Sequence, residues 1–220
     1  MREINRIHSY EVWEQKCYDE IANVILASTG KTSIALSGGS TPIPVYKRVG
    51  TLLESLPKST RKNVRFFVVD ERNVSLDSSR SNSKMILETI GREYVVPFEP
   101  TTQSPEEYLE LINEAVEPKG VFDLVVLGCG DDGHTASLFP KTELLEDATV
   151  GFGQNELPSG EFRFSMTYPM ILNAAKCVIF VNNKTDKLGY FTKASMRQDD
   201  APIHKVLTSP KTKALLHEEL

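Results

Sequence analysis

Apolar positions along this chain alternate between two spacings. In "SYEVWEQKCYDEIANVILAS" (9–28) they recur at helical intervals, with Ser9 where an N-cap belongs. "TSIAL" (32–36) is a strand-length run. "PIPVYKRVGTLLESL" (42–56) returns to helical spacing, with proline at its start, where a missing N–H removes no helix bond. "VRFFVVD" (64–70) shows no polar alternation and predicts a strand buried on both faces. Ser81 caps a predicted helix through Ile90. "SPEE" (104–107) is a capping box, with Ser104 as cap, Pro105 next and Glu107 three residues on; it opens a helix to about Glu117. "VFDLVVLG" predicts another buried strand, "KCVIFVN" (176–182) a fourth, and "KTDKLGYFTKASM" a helix after it. "KTELLEDATVGFGQNELPSGEF", rich in Gly, Pro and acids, predicts a long loop.

Strands separated by helix-length segments predict an α/β fold: three layers, with a mostly parallel Rossmann-like sheet covered by helices on both faces. The 220 residues suit a single domain spanning 1–220. In such sheets ligands bind at the carboxyl ends of the strands.

Composition narrows the function classes. No apolar run approaches the roughly 20 residues of a membrane-spanning helix. The start, "MREINRIHSYEVWEQK", lacks the apolar core of a secretory signal. Cys17, Cys129 and Cys177 are odd in number and scattered among apolar segments. That pattern predicts reduced, buried thiols in a cytoplasmic protein, with no disulfide scaffold or zinc site. Net charge is −5 and no basic run occurs, which argues against a nucleic-acid partner. An anionic ligand would need a site made locally positive by a few Arg and Lys side chains.

Three loops follow predicted strands. In "ALSGGSTP", Gly38, Gly39, Ser40 and Thr41 lead into a helix beginning at Pro42. Free N–H groups and the helix dipole there favour an anion, although no Gly-Lys-Ser/Thr follows as in a Walker A loop; the alternative is a glycine turn with a Ser/Thr cap. In "VVDERN", Asp70, Glu71 and Arg72 end an apolar strand and face either solvent or a site. In "LVVLGCGDDGHTASLFP", Gly128, Gly130 and Gly133 spell G-x-G-x-x-G. Pro140 comes too soon for the crossover helix of a dinucleotide fold, and Asp131 and Asp132 would repel a pyrophosphate. What remains is His134, which is either structural or a base, since an imidazole's ordinary pKa of about 6.5 suits proton transfer. An anion cradle, an Asp/Arg pair and a base together predict an enzyme acting on a phosphorylated small molecule, without naming the reaction.

"LSGGSTP", "DERNVSLDSSRSN" and "LGCGDDGHTASLFP", in this order, resemble the 6-phosphogluconolactonases, which group with the glucosamine-6-phosphate deaminases in a wider sugar-phosphate family. "FRFSMTYPMILNAAKCVIFV" extends the likeness, which covers roughly residues 30 to 205. The resemblance implies a Rossmann-like sheet without a nucleotide. It implies hydrolysis of 6-phospho-D-glucono-1,5-lactone to 6-phosphogluconate in the oxidative pentose phosphate pathway. By position it makes His134 the catalytic base and Arg72 a donor to the sugar. Gly38, Gly39, Ser40 and Thr41 become the phosphate loop, with Arg163 and either Lys187 or Lys184 as further phosphate ligands. Asp70 would orient Arg72 or the substrate, or be structural. Asp132 would cap the turn or orient the imidazole, the turn role being favoured. No cofactor or metal is implied, and the partner is a small sugar phosphate, with no nucleic acid, membrane or obligate protein partner.

The deaminases carry a glutamate five residues after their histidine, where this chain has Phe139, and tend to an aromatic at Arg72; both differences favour the lactonase. The chain departs from the lactonase pattern at Ser75, where proline is usual, in "NNKTDK", and in the tail "KTKALLHEEL". A deaminase/isomerase and a non-catalytic sugar-phosphate-binding protein remain the alternatives.

Overall fold

The computed structural model describes residues 3–182, 186–192 and 200–219. Seven parallel strands form the main sheet in the order β1-β10-β9-β6-β2-β3-β5. They are β1 (Glu3–Ile7), β2 (Thr32–Leu36), β3 (Val64–Val68), β5 (Val95–Val96), β6 (Leu124–Leu127), β9 (Cys177–Asn182) and β10 (Thr212–His217). Every residue of β2 and β6 is buried, as expected of strands covered on both faces.

The helices are α1 (Tyr10–Ala27), α2 (Ile43–Ser55), α3 (Lys58–Arg61), α4 (Asn82–Ile90), α5 (Pro105–Val116), α6 (Tyr168–Asn173) and α7 (Pro202–Leu207). α1, α2 and α4 pack side by side, and α5 lies against β2. The caps are those expected: Ser9 and Ser81 accept from the amides of Val12 and Lys84, and Ser104 with Glu107 closes a capping box. Among the described residues no helix is long and apolar enough to cross a membrane.

Three sequence expectations are corrected. The run 64–70 is not one strand. β3 ends at Val68, and Asp70–Arg72 form β4 of a second, antiparallel sheet, ordered β4-β8-β7. Val69 is the hinge: its N–H reaches Leu36 O in the main sheet, and its carbonyl accepts from Met166 N in the second. The supposed long loop after Pro140 contains a 3-10 turn (Glu143–Glu146) and then a hairpin of β7 (Phe152–Glu156) and β8 (Phe162–Met166). β7 has one large apolar residue, Phe152, which is why its composition reads as loop. The tail supplies strand β10 beside β1. Asp186–Phe191 form a 3-10 turn in place of the start of a helix; the rest of that predicted helix, apart from Thr192, lies outside the described residues.

Four aromatic rings pack α5 and the segment after β5 against the second sheet. Phe98 lies 5.0 Å from Tyr108, 5.0 Å from Phe152 and 5.1 Å from Phe164, centroid to centroid, and Tyr108 lies 4.9 Å from Phe152. Most meet edge to face, the arrangement ring quadrupoles favour. The second sheet is thereby fixed beside the carboxyl ends of the main-sheet strands.

Candidate active site

A cavity of about 320 Å³ opens where β2, β4, β6 and β9 end. Gly38, Gly39, Ser40, Thr41, Asp70, Arg72, His134 and Lys187 all line it, so most of the residues singled out in the sequence converge.

The loop after β2 owes its path to Gly38. A Cβ there would lie 1.8 Å from Asn82 Oδ1, so only glycine lets the loop pass over that side chain. Asn82 in turn donates to Asp70 O at 2.8 Å. Unlike α1, α4 and α5, helix α2 has no side-chain cap, and its first turn opens beside the cavity without one.

The three charges of "DER" divide into different roles. Glu71 is fully buried and accepts from the amides of Arg72 (2.8 Å), Asn82 (2.8 Å) and Ser83 (2.7 Å) and from Ser81 Oγ (3.0 Å). It fastens α4 to β4 and has no path to a ligand. Asp70 is buried and accepts from Ser137 Oγ at 2.7 Å, which ties β4 to the histidine loop. Arg72 reaches the cavity and donates through Nη1 to Arg80 O at 2.7 Å.

Arg163 sits one step back. It lies opposite Arg72 in the β4–β8 ladder, binds Glu161 at 3.2 Å and does not line the cavity. Glu161 also pairs with Arg80. The Nε atoms of Arg72 and Arg163 are buried with no partner among the described residues. Lys187 pairs with Asp131 at 3.3 Å at the cavity wall; Lys184 lies outside the described residues.

The histidine loop resolves the glycine cluster. A Cβ on Gly130 would lie 2.1 Å from the His134 ring, so this glycine makes the seat for an imidazole. Phe139 stacks on the ring at 4.1 Å and 26°. Asp132 Oδ1 lies 3.1 Å from His134 N and 2.5 Å from Nδ1, so one carboxylate both caps the turn and orients the ring. Burial opposes ionisation of Asp132, but the backbone N–H and the imidazole of His134 more than offset it and hold the carboxyl below its ordinary range. An ionised carboxylate at Nδ1 requires a proton on that nitrogen, so in the neutral ring Nε2 is the acceptor, and it has no partner among the described residues. Beyond the histidine, Ala136 takes a left-handed φ of 52°. Ser137 is gripped from the second sheet: its N–H donates to Ser165 Oγ (3.2 Å) and its carbonyl accepts from Asn155 Nδ2 (2.7 Å).

Sequence reasoning missed Asn82, Ser137, Asn155 and Ser165. Asn82, Ser137 and Ser165 lie inside the quoted segments; Asn155 lies in the run that reads as loop, and neither it nor Ser165 carries a local sign, because their partners are distant in the chain. Cys129 also lines the cavity, and burial pushes its thiol up to about 12. Among the described residues no three His, Cys, Asp or Glu side chains group as metal ligands would.

The sequence profile of the family described as glucosamine-6-phosphate isomerases/6-phosphogluconolactonase matches residues 12–216. The chain belongs to this isomerase/lactonase family. It is 32% identical over 174 residues to 6-phosphogluconolactonase of Chlamydia pneumoniae, which covers 76% of this chain and 66%, about two thirds, of that protein. It is 30% identical over 200 residues to 6-phosphogluconolactonase of Thermotoga maritima, covering 86% and 85% of the two chains. Among solved structures, 6-phosphogluconolactonase from Trypanosoma brucei superposes with a TM-score of 0.79 at 25% identity, covering 100% of this chain and 97% of the other. The isomerase/lactonase family match therefore includes all three loops that build the cavity.

Proposed function

We propose that this chain hydrolyses 6-phospho-D-glucono-1,5-lactone to 6-phospho-D-gluconate, a step of the oxidative pentose phosphate pathway, with His134 as general base. The observation that carries this reading is the Asp132–His134 pair. It offers a free Nε2 to a cavity that also holds a glycine loop, an arginine and a lysine. The curated relatives named above bear the same activity in their names.

A lactone is an activated ester, so the site needs a base, a hold on the ring and relief for charge on the carbonyl oxygen. In the proposed mechanism, His134 Nε2 takes a proton from water as the water oxygen attacks C1. Asp132 balances the imidazolium that forms. Collapse of the tetrahedral intermediate breaks the bond to the ring oxygen, which receives the same proton from Nε2. General acid–base help of this kind is worth about 10²–10⁴ in rate. Arg72 is the donor to the developing oxyanion or the sugar hydroxyls. The phosphate lies on the glycine-loop amides, Ser40, Thr41 and Lys187, with Arg163 adding positive charge behind Arg72. Asp70 acts by holding Ser137 and hence the histidine loop.

The continuous core supports reading 1–220 as one domain. The three buried free thiols suit a reducing cytoplasm. The deciding experiment is the initial rate of 6-phosphogluconolactone disappearance above its spontaneous hydrolysis, for the wild type and His134→Ala. We expect the variant to lose about 10²–10⁴ in kcat. A wild-type rate equal to background overturns the reading. Ammonia release from glucosamine 6-phosphate would then point to the deaminase, and binding without turnover to a sensor.

A further inference from the structure

The carboxyl end of β9 carries a polar side chain that the mechanism above does not use. Asn182 lines the cavity on the wall it shares with Lys187. It lies directly opposite His217, the last residue of β10, in the parallel ladder. Its Oδ1 is 2.8 Å from His217 Nδ1, and its Nδ2 has no partner among the described residues. The carboxamide oxygen can only accept, so His217 carries a proton on Nδ1 and donates it.

His217 is buried with 3% of its surface exposed. Tyr10 meets its ring edge-on at 5.6 Å, and Trp13 lies 6.1 Å away at 40°. Trp13 is itself fixed by a 2.9 Å bond from its indole N–H to Leu215 O. The imidazole is held by packing, and it in turn fixes which end of the amide faces the cavity. Satisfying His217 alone would need only an acceptor. A full carboxamide at this position adds two N–H donors at the wall of a polar cavity.

We propose that Asn182 is a substrate-binding residue, donating from Nδ2 to an oxygen of the sugar phosphate, and that His217 is the positioning residue that sets its amide. The inference rests on the cavity being the sugar-phosphate site proposed above. It gives α1 and the C-terminal strand a part in recognition, through Trp13 and His217.

The test uses the full chain and two readouts: steady-state KM for 6-phosphogluconolactone, and calorimetric affinity for 6-phosphogluconate, which needs no turnover. Asn182→Asp keeps the shape and the acceptor for His217 but replaces the donor with a negative charge. It should weaken both readouts by about tenfold or more. Asn182→Ala should weaken them by about 3- to 10-fold, the range of one hydrogen bond, with kcat falling less than KM rises. His217→Phe keeps an aromatic ring against Tyr10 and Trp13 but releases the amide. It should raise KM less than Asn182→Ala does, and it should add less than twofold in the Asn182→Ala background. KM and affinity within twofold of wild type in both Asn182 variants overturn the proposal. A full additive effect of His217→Phe on Asn182→Ala overturns the positioning role. An inactive wild type would sink the lactonase reading, while the affinity measurements would still decide this one.

Discussion

The two sheets use their residues differently. In β2 and β6 every side chain is buried, and what these strands contribute to the cavity is position: they deliver loops to one edge by apolar burial alone. In the small sheet the buried positions include Asp70, Glu71, Asn155 and Ser165, Glu71 hydrogen-bonded to the start of α4 and the other three to Ser137 of the histidine loop. The large sheet brings the proposed reacting groups near one another, and the small sheet holds the loops that carry them. The geometry of the proposed site therefore depends on a part with little hydrophobic signature of its own.

Substitutions in each part sharpen that contrast. Gly130→Ala should have the largest effect, because the new Cβ claims the space of the His134 ring. We expect a loss in kcat comparable to removal of the base, about 10²–10⁴, in a protein that still shows native circular dichroism. Arg72→Ala removes the small sheet's one cation at the cavity wall, among the described residues. It should lower kcat/KM by about 10- to 100-fold, the scale of one charge-assisted hydrogen bond, whereas Arg163→Ala should cost less, since that residue lies behind it. Equal losses would mean that both arginines reach the ligand.

Asn155→Ala tests the orienting role. It strips Ser137 O and Thr142 Oγ1 of their donor and should cost about 1–3 kcal/mol in denaturant unfolding. A fall in kcat at unchanged KM should accompany that loss. An unchanged kcat would make the small sheet a mere buttress.

The smallest effect concerns pH. The Asp132 carboxyl titrates lower in the folded chain than in the unfolded one, so its contribution to stability is fully present above the unfolded value of about 3.9. It is lost as pH falls through the lower folded value. The stability difference between wild type and Asp132→Asn should shrink as pH falls below about 4. A flat difference down to pH 3 would mean that the pair adds nothing to stability.

The contrast between the sheets also sets what could be read in the sequence. Continuous apolar runs such as "TSIAL" and "LVVL" announce the main sheet, and serines before helical runs announce α1, α4 and α5. The three cavity loops were visible as loops because glycines and charges interrupt apolar strands. The break at Val69 was not, since an apolar hinge between two sheets looks like the middle of one strand. β7 was not, since "FGQNE" buries only Phe152 and Asn155, with Gly153 and Gln154 between them and Glu156 after. β1 was not, since an edge strand tolerates the Glu and Arg of "EINRI". The separate fates of Asp70, Glu71 and Arg72 depend on partners 8 to 95 positions away, and no local pattern encodes them.

Trp13 is the chain's only tryptophan, and it stands where the first helix meets the last strand, with Phe180 and His217 around it. Its emission is therefore an intrinsic optical probe of that junction. Loss of the native spectrum on titration with denaturant would report when the two ends of the chain part company, without a label. Because His217 lies between the indole and Asn182, the same fluorophore is two side chains from the cavity wall, close enough for ligand occupancy to register as a change in quenching.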